Sequence, residues 1–481
     1  MKIVLISLTD EIAPRLGLLS LATYLKENSN YDIKILEYFK DNIIKDITQH
    51  NPDIIGISAM TVEFMRAKRL AKKIRSLGLN SPIVIGGVHI SSLPSSFTTV
   101  FDIGIIGEGE LTFLEFIKQY EKDKSLKKLG RIKGLIYWNK GRAVQTKERP
   151  LMDLSKLPVP DYGLMPRIHF QKRRLFTGGW GREMLIQTSR GCPYKCVFCS
   201  TSHFWKNFRF KSVDKVVEEI VSLKNNFRVD YIGIADDCFA ANKKRMVEIK
   251  TELKKEGVLG EVLFNAQTRA NLIDDELLRI LREMNVYFVG FGFESGSDRY
   301  LRYLKANLVT LEDNIRAVRL TKKYGFLTQG SVMFGGPGET LDDMRDTIKF
   351  IRFCRREKVD FLWSFVMTPF PNTPLWDIAL SRGKISNDMN FDLLNVQNLD
   401  NPLLLDPQIP LNQFQKLFLQ ARKEMDFVKW NILRMNFLKN PFLSILEGMS
   451  KPLHYLNLIT ESTTNYGNPL EQKIGNEFNR F

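Results

Sequence analysis

Apolar runs and amphipathic stretches alternate along the first 120 residues. Strand-like patterns occur at 3–8, 32–37, 53–58, 82–87 and 103–109. Helical periodicity occurs at 16–26, 64–77 and 110–120. This alternation predicts a parallel, doubly wound, Rossmann-like α/β sheet, and the ligands of such sheets bind beyond the carboxyl ends of the strands.

A second alternating series begins at residue 184. Its predicted strands are 184–188, 231–235, 262–267, 286–293, 328–334 and 361–367. Its predicted helices are 213–225, 243–255, 274–283, 311–324 and 340–356. The last helix opens with Thr340 and Asp343, which resemble a capping box. The series predicts a partial (β/α)6 barrel of the TIM type, with its chemistry at the carboxyl ends of the strands.

The stretch between the two series follows neither period. It contains a hairpin around Asn139-Lys140-Gly141 and a stiff segment with Pro158 and Pro160. We therefore predict four parts. The N-terminal sheet covers 1–125, a linker with the hairpin covers 126–183, the barrel covers 184–375, and a mainly helical region covers 376–481.

Composition and charge narrow the choice of partner. The 481 residues are 44% hydrophobic, enough for several large cores, and Lys+Arg exceed Asp+Glu by 16. This excess favours anionic partners, namely nucleic acid, anionic lipid or phosphate-bearing ligands. No run of about 18 apolar residues occurs, and the first apolar run is too short for a signal peptide. We expect a cytoplasmic protein without a spanning helix.

Three of the five cysteines lie within one segment, where residues 189–199 read SRGCPYKCVFC. Cys192, Cys196 and Cys199 directly follow the first predicted barrel strand with the spacing Cys-x3-Cys-x2-Cys. Three thiolates on one loop can ligate three corners of a cubane iron–sulfur cluster and leave its fourth iron open to another ligand. A zinc site completed by His203 is the alternative, although structural zinc normally takes two separated ligand pairs.

The cysteine spacing, together with its place after strand one of a six-step barrel, resembles the radical S-adenosylmethionine (SAM) superfamily over about 184–370. The resemblance implies a 4Fe-4S cluster whose open iron chelates the methionine part of SAM, and one-electron cleavage of SAM to a 5′-deoxyadenosyl radical. It also implies an adenine contact by Phe198 and a methionine amino contact by Asp236 and Asp237. The same two aspartates can instead cap the next helix.

Further SAM contacts follow from the ends of the later strands. Arg269 ends strand three, where a guanidinium can pair with the methionine carboxylate, or can simply be solvated. The resemblance makes Glu294 the acceptor for the ribose hydroxyls. Gly335 and Gly336 end strand five, and glycine lets the backbone approach the adenosyl group. No catalytic acid or base is identified.

The N-terminal part resembles the cobalamin-binding domain that precedes many radical SAM barrels, over about 1–125. Small and hydroxyl residues follow three neighbouring strands, where they would admit a corrin and its nucleotide tail. The predicted cobalamin contacts are Ser58, Thr61, Gly86, Gly87, Val88, His89, Gly107, Glu108 and Gly109. The alternative is a sheet that binds nothing and caps the barrel.

One departure concerns the cobalt ligand. Many cobalamin domains carry Asp-x-His-x-x-Gly after strand one, whereas this chain has Ile12 at the histidine position and Arg15 at the glycine position. We therefore expect cobalt without a lower histidine ligand, and we interpret His89 as a loop residue beside the corrin.

The resemblance implies a cobalamin-dependent radical SAM enzyme that methylates an unactivated carbon of a small-molecule or lipid-like substrate. Ring formation or oxidation by the same machinery is an alternative. An RNA-modifying methylthiotransferase is disfavoured because that family carries further cysteines in its N-terminal domain, and this chain has none before Cys192. A non-catalytic scaffold is disfavoured by the complete set of site residues.

The expected partners are an external one-electron reductant of flavodoxin or ferredoxin type and the substrate, and nucleic acid is not expected. Residues 422–452 mix cations with aromatic side chains, and one interpretation is a peripheral membrane contact. An ordinary helix that covers the open side of the barrel is the other interpretation.

Overall fold

The computed structural model describes residues 1–9, 15–38, 43–175, 180–406 and 408–425. Ile12 therefore lies outside the described residues, as do 426–452 of the predicted membrane-contact segment and the rest of the C-terminal region. Within the described ranges, no helix is long and apolar enough to cross a bilayer.

A seven-stranded sheet forms the N-terminal part, with strand order β2-β1-β3-β4-β5-β6-β7. Its strands are β1 (Lys2–Ser7), β2 (Asp32–Glu37), β3 (Ile54–Ser58), β4 (Ile83–Gly86), β5 (Ile103–Ile105), β6 (Leu135–Asn139) and β7 (Arg142–Gln145). The first five are parallel, which confirms the doubly wound prediction. The hairpin β6–β7 joins the edge of this sheet through antiparallel pairing with β5.

Helices connect the parallel strands of this sheet. They are α1 (Leu16–Glu27), α2 (Ile43–His50), α3 (Phe64–Ser76), α4 (Val88–Ser92) and α5 (Gly109–Asp123). The predicted strand at 103–109 is shorter than expected, because Gly109 already begins α5. The chain then passes through 3-10 turns and two short strands, β8 (Arg173–Arg174) and β9 (Trp180–Gly181), to the second sheet.

Six parallel strands form the second sheet in the order β10-β13-β14-β15-β16-β17. They are β10 (Glu183–Ile186), β13 (Tyr231–Ile234), β14 (Leu263–Thr268), β15 (Val286–Glu294), β16 (Leu327–Phe334) and β17 (Phe361–Val366). Their sequential order confirms the partial barrel. Two short antiparallel strands, β11 (Ser189–Arg190) and β12 (Arg209–Phe210), lie between the first two barrel strands along the chain.

The barrel helices include the five that were predicted and two short ones that were not. They are α6 (Ser200–Phe204), α7 (Val213–Phe227), α8 (Lys243–Lys255), α9 (Asp275–Glu283), α10 (Asp298–Leu304), α11 (Leu311–Lys323) and α12 (Leu341–Arg356). The capping box of Thr340 and Asp343 is present at the start of α12. Beyond the barrel lie α13 (Pro374–Ser381) and α14 (Leu411–Met425).

The two sheets share part of one hydrophobic core. The cluster that contains Ile57 and Ile85 from the first sheet also contains Leu304, Met367 and Trp376 from the barrel side. The carboxyl end of the first sheet therefore packs against the carboxyl end of the barrel. Burial of this apolar surface stabilises the two parts as a pair.

Candidate functional site

The three clustered cysteines lie on one hairpin that leaves the barrel after β10. Strands β11 and β12 pair at its base, and we call residues 189–210 the cysteine hairpin. Cys196 is buried, Cys192 and Cys199 are half-buried, and all three are free thiols. Gly191 closes the base with φ +91°, and a Cβ there would lie 2.6 Å from the carbonyl oxygen of Asn207. Only glycine fits at this position.

Burial makes these thiols poor acids unless a cation compensates. It raises the pKa of Cys192 to about 11 and also raises the pKa of Cys199. Bound metal ions supply the missing positive charge and deprotonate coordinating thiols. Three sulfur donors on one short loop therefore fit an iron–sulfur cluster.

The zinc alternative requires His203 as a fourth ligand. Burial lowers the pKa of His203, and its ring hydrogen-bonds with the backbone of Cys196. Across the part of the chain that the structure describes, no three His, Cys, Asp or Glu side chains are grouped to hold a single metal ion.

Arg269 lies beside the cysteines. Its Nη1 donates to the Sγ of Cys196 at 3.2 Å, and its guanidinium lies 3.8 Å from the ring centroid of Tyr194. Its buried Nη2 and the hydroxyl of neighbouring Thr268 have no hydrogen-bond partner among the described residues. Unpaired buried donors are costly, so this corner fits a ligand that carries a carboxylate or another acceptor.

Asp236 and Asp237 have different surroundings. The buried carboxylate of Asp236 accepts four hydrogen bonds, from the backbone N–H and the hydroxyl of both Thr188 and Ser189, at 2.5–3.1 Å. These bonds occupy all of its acceptor positions and fix the start of the cysteine hairpin. Asp237 follows β13, is exposed and hydrogen-bonds with Thr201, and desolvation of its carboxyl group raises its pKa to about 6.

Glu294 lies at an irregular point of β15, where the register with β16 shifts. Its φ of +61° is unusual for a residue other than glycine, and such backbone strain is concentrated at functional sites. Its buried carboxylate accepts a hydrogen bond from Lys305 Nζ at 2.7 Å. The same ammonium lies 5.4 Å from the ring centroid of Phe198 on the cysteine hairpin. Glu294 and Phe198 are therefore close to each other.

The two glycines after β16 pack against the chain itself. A Cβ on Gly335 would lie 3.1 Å from Leu404 and Phe414. A Cβ on Gly336 would lie 2.2 Å from the hydroxyl of Tyr300 and 2.3 Å from the sulfur of Met367. This packing already requires glycine at Gly336, and contact of either residue with the adenosyl group stays a prediction.

Three loops form the edge of the first sheet that faces the barrel, and the two after β4 and β5 contain glycine. Gly87 has φ +97°, and a Cβ there would lie 2.7 Å from the carbonyl oxygen of Ala59, just after Ser58. The N–H of Gly107 donates to Ser91 at 2.9 Å, which ties the loop after β5 to α4. A Cβ on Gly86 or Gly107 would meet nothing within 4 Å. The space beside these two backbone positions is therefore open, and their contact with a corrin stays a prediction.

His89 lies within α4, in a buried aromatic cluster under this edge, so the interpretation as a loop residue was wrong. Its fully buried ring is 4.0 Å from that of Phe64 and 4.6 Å from that of Phe391, centroid to centroid. Burial lowers its pKa to about 3, and its two ring nitrogens have no hydrogen-bond partner in the described chain. The other predicted cobalamin contacts nearby, Thr61 and Val88, are buried and half-buried.

Glu108 is turned toward the cysteine hairpin. It precedes Gly109 at the start of α5, and its carboxylate pairs with Arg190 at 2.6 Å and with Arg209 at 2.9 Å. Arg190 also pairs with Glu110 at 2.6 Å. Burial alone would raise the pKa of Glu110, but the charge and hydrogen bonds of Arg190 lower it.

Three cations of the site are absent from the residues predicted from sequence. Lys305 pairs with Glu294, Arg190 joins the cysteine hairpin to α5, and Arg245 donates to the carbonyl oxygens of Thr188 and Lys211. Their partners are distant in sequence, so only the fold reveals them. The one available signal was the presence of Arg190 inside the cysteine motif.

Comparison with known proteins adds two family matches. The profile of the Radical SAM superfamily matches residues 186–351, and that of the B12 binding domain matches residues 1–117. An uncharacterized methyltransferase of Pyrococcus horikoshii is 32% identical over 411 residues, which are 83% of this chain and 84% of that protein. An anaerobic magnesium-protoporphyrin IX monomethyl ester cyclase of Rubrivivax gelatinosus is 27% identical over 368 residues, which are 74% of this chain and 64% of the cyclase.

A solved structure has the same fold over most of the chain. The radical SAM methyltransferase TsrM from Kitasatospora setae, described with cobalamin and a [4Fe-4S] cluster bound, aligns with a TM-score of 0.65 at 19% identity. The alignment covers 87% of this chain and 85% of TsrM. It confirms the combination of a Rossmann-like part with a partial barrel.

Proposed function

The chain belongs to the cobalamin-dependent radical SAM methyltransferase family, and from this premise we propose that it methylates an unactivated carbon of a small-molecule or lipid-like substrate. In this proposal Cys192, Cys196 and Cys199 hold a 4Fe-4S cluster, and the glycine loops of the first sheet hold cobalamin. When bound, the cluster and SAM would supply one-electron cleavage of SAM to a carbon-centred radical, and cobalamin would carry a methyl group taken from a second molecule of SAM. The observation that carries the proposal is the position of Arg269. Its Nη1 donates to Cys196, while its buried Nη2 remains available for an anion next to the cluster ligands.

The residues around the cysteine hairpin have separate tasks in this proposal. Arg269 binds the methionine carboxylate, and the exposed carboxylate of Asp237 accepts a hydrogen bond from the methionine amino group. Asp236 acts as a positioning residue, since its hydrogen bonds fix Thr188 and Ser189 at the start of the hairpin. Glu294, held by Lys305, accepts from the ribose hydroxyls, and Phe198 covers the adenine.

The remaining contacts belong to the cobalamin side. Gly86, Gly87 and Gly107 leave room for the corrin, while Ser58 and Thr61 offer hydroxyl groups at the same edge. The core shared by the two sheets holds the first sheet against the barrel. We assign the one electron to an external flavodoxin or ferredoxin type of donor in a reducing, cytoplasmic setting, which suits five free cysteines.

Anaerobic purification from cells supplied with cobalamin tests the two cofactors. We expect about four irons per chain, a stoichiometric cobalt content and the absorption of both groups. Cys196→Ala removes a predicted iron ligand, so it should lose iron and still bind cobalamin when cobalamin is present in excess. Cys354→Ala is the matched control, because Cys354 is a buried cysteine on α12, remote from the hairpin along the chain. Zinc in place of iron, or iron retained by Cys196→Ala, would contradict the assignment.

Ring formation is the second candidate, and the similarity to the Rubrivivax cyclase favours it. SAM labelled with ¹³C in its methyl group separates the two reactions in an anaerobic cell extract. Methyl transfer gives a product that contains the label, whereas ring formation gives a product without it.

A further inference from the structure

The base of the cysteine hairpin is joined to the first domain by buried charges. Arg190 and Arg209 face each other across the β11–β12 pair, at the point where the hairpin leaves the barrel. Both guanidinium groups reach Glu108, and Arg190 also reaches Glu110. We call these four residues the Arg–Glu clamp.

The clamp is almost completely removed from solvent. The side chains of Arg190, Glu108 and Glu110 are 6%, 7% and 4% exposed, and that of Arg209 is 17% exposed. Two positive and two negative charges balance within the set. A buried ion pair with one partner removed is strongly destabilised, because the remaining charge is left uncompensated.

Further hydrogen bonds fix the geometry of the clamp. Ser20 of α1 donates to Glu110 at 2.9 Å and accepts from Arg190 at 3.2 Å. Arg209 also donates to the carbonyl oxygen of Met152 at 2.6 Å, and the N–H of Met152 donates to Glu108 at 2.9 Å. The planar guanidinium groups are pre-organised for such forked bonds, so lysine would not replace them fully.

The two ends of the clamp lie at the two proposed cofactor sites. Arg190 is two residues before Cys192, and Glu108 lies between Gly107 and Gly109 in the loop after β5. A cluster bound by the three cysteines would tether the hairpin further and so restrict the two arginines at its base. Ordered arginines fix the loop that carries Glu108, which lowers the entropic cost of binding a second ligand there.

We propose that Arg190 is a positioning residue that couples the two sites, so that cluster assembly strengthens cobalamin binding. This inference rests on the proposed function for the identity of the cofactors. By reciprocity, cobalamin would strengthen retention of the cluster by the same factor.

The dissociation constant of cobalamin, measured by absorbance before and after cluster reconstitution, tests the coupling. We expect reconstitution to tighten cobalamin binding by about fivefold or more in the unmodified protein. Arg190→Gln should reduce this ratio to near unity while still taking up iron, and Arg190→Lys should restore part of it. Arg209→Gln leaves the ion pairs of Arg190 intact and should reduce the ratio of dissociation constants only in part. This variant replaces Arg190→Gln in the test if Arg190→Gln does not fold.

Lys206→Gln is the matched control. Lys206 lies on the same hairpin and pairs with Glu148 at 2.5 Å, but both side chains are exposed, at 60% and 64%. Exposed pairs contribute little, so this variant should keep the ratio of the unmodified protein. The coupling would be overturned if all variants gave the same ratio. It would also be overturned if the dissociation constant of cobalamin did not change on reconstitution in a protein that loads both cofactors.

Hydrogen exchange on the cofactor-free protein tests the clamp independently of the proposed function. Arg209→Gln should accelerate exchange both in residues 189–210 and in the loop around Glu108, and Lys206→Gln should not. Acceleration on one side only would overturn the clamp. If the unmodified protein takes up neither iron nor cobalamin, the proposed function and the coupling both fail. The exchange experiment would still decide whether the clamp joins the cysteine hairpin to the loop around Glu108.

Discussion

At the scale of single residues, the hydrogen bonds of two neighbouring aspartates give them different roles, although the sequence predicts the same role for both. Asp236 has its acceptor positions occupied by Thr188 and Ser189, whereas Asp237 is exposed. Asp237→Asn should weaken SAM binding roughly ten- to hundredfold without a loss of thermal stability, because one charge-assisted hydrogen bond contributes about 1.5–3 kcal/mol. Calorimetric titration of SAM into the reconstituted protein measures this change.

Asp236→Asn is the companion variant, and it should act on stability. An amide has one acceptor atom where the carboxylate has two, so buried donors of Thr188 and Ser189 would lose partners, at about 1–3 kcal/mol for each group left unpaired.

With the pKa of Asp237 at about 6, SAM affinity should also fall as the pH decreases through 6, except in Asp237→Asn. Normal SAM binding by Asp237→Asn, with weakened binding by a stable Asp236→Asn, would reverse the two assignments.

At the scale of elements, the turn between β16 and α12 closes around a buried carboxyl group. The N–H of Gly335 donates to Glu339 at 2.5 Å, and burial raises the pKa of Glu339 from 4.5 to about 8. Between these two values the folded protein holds a proton that the unfolded chain has released. The stability that this group contributes is therefore complete below pH 4.5 and is lost as the pH rises through 8.

Glu339→Gln should remove this pH dependence. The amide oxygen can still accept from Gly335, and the amide nitrogen replaces the protonated oxygen. The midpoint of thermal unfolding should fall less between pH 6 and pH 9 in Glu339→Gln than in the unmodified protein. Asp342→Asn is the control, because Asp342 is 86% exposed in the next helical turn. Parallel pH profiles for Glu339→Gln and the unmodified protein would show that Glu339 is ionised in the fold.

The elements also show where sequence patterns are sufficient. All six barrel strands could be predicted within one or two residues, because each is a short apolar run between polar helices. The capping box at Thr340 could be predicted because its signal spans three residues. Glu108 was assigned to cobalamin from its place in a glycine loop, but its partner Arg190 is 82 residues away in sequence. The helix α14 was not located individually, since no alternation with strands marks its bounds.

At the scale of the whole molecule, the core shared by the two sheets should make their stability interdependent. The fully buried Leu304 at the end of α10 belongs to the same cluster as Ile55 and Ile85 of the first sheet. Leu304→Ala should cost about 2–5 kcal/mol and open a cavity at the junction of the two domains. Hydrogen exchange should therefore become faster in β3 and β4 as well as in α10, although these strands are more than 200 residues away in sequence.

Leu253→Ala gives the comparison, because Leu253 on α8 is equally buried but lies in the core cluster of the barrel. Both variants remove the same apolar atoms from a buried leucine. Leu253→Ala should therefore accelerate hydrogen exchange around α8 and leave the exchange rates of β3 and β4 near those of the unmodified protein. Local openings expose only the amides of their own cooperative unit, which makes the two exchange maps distinguishable. Identical maps would mean that the chain unfolds as one unit, and unchanged exchange in β3 and β4 of Leu304→Ala would mean that the two sheets are stabilised separately. If the expected pattern holds, the first sheet is held against the barrel by two separate sets of contacts, the shared apolar core and the buried ion pairs of the Arg–Glu clamp.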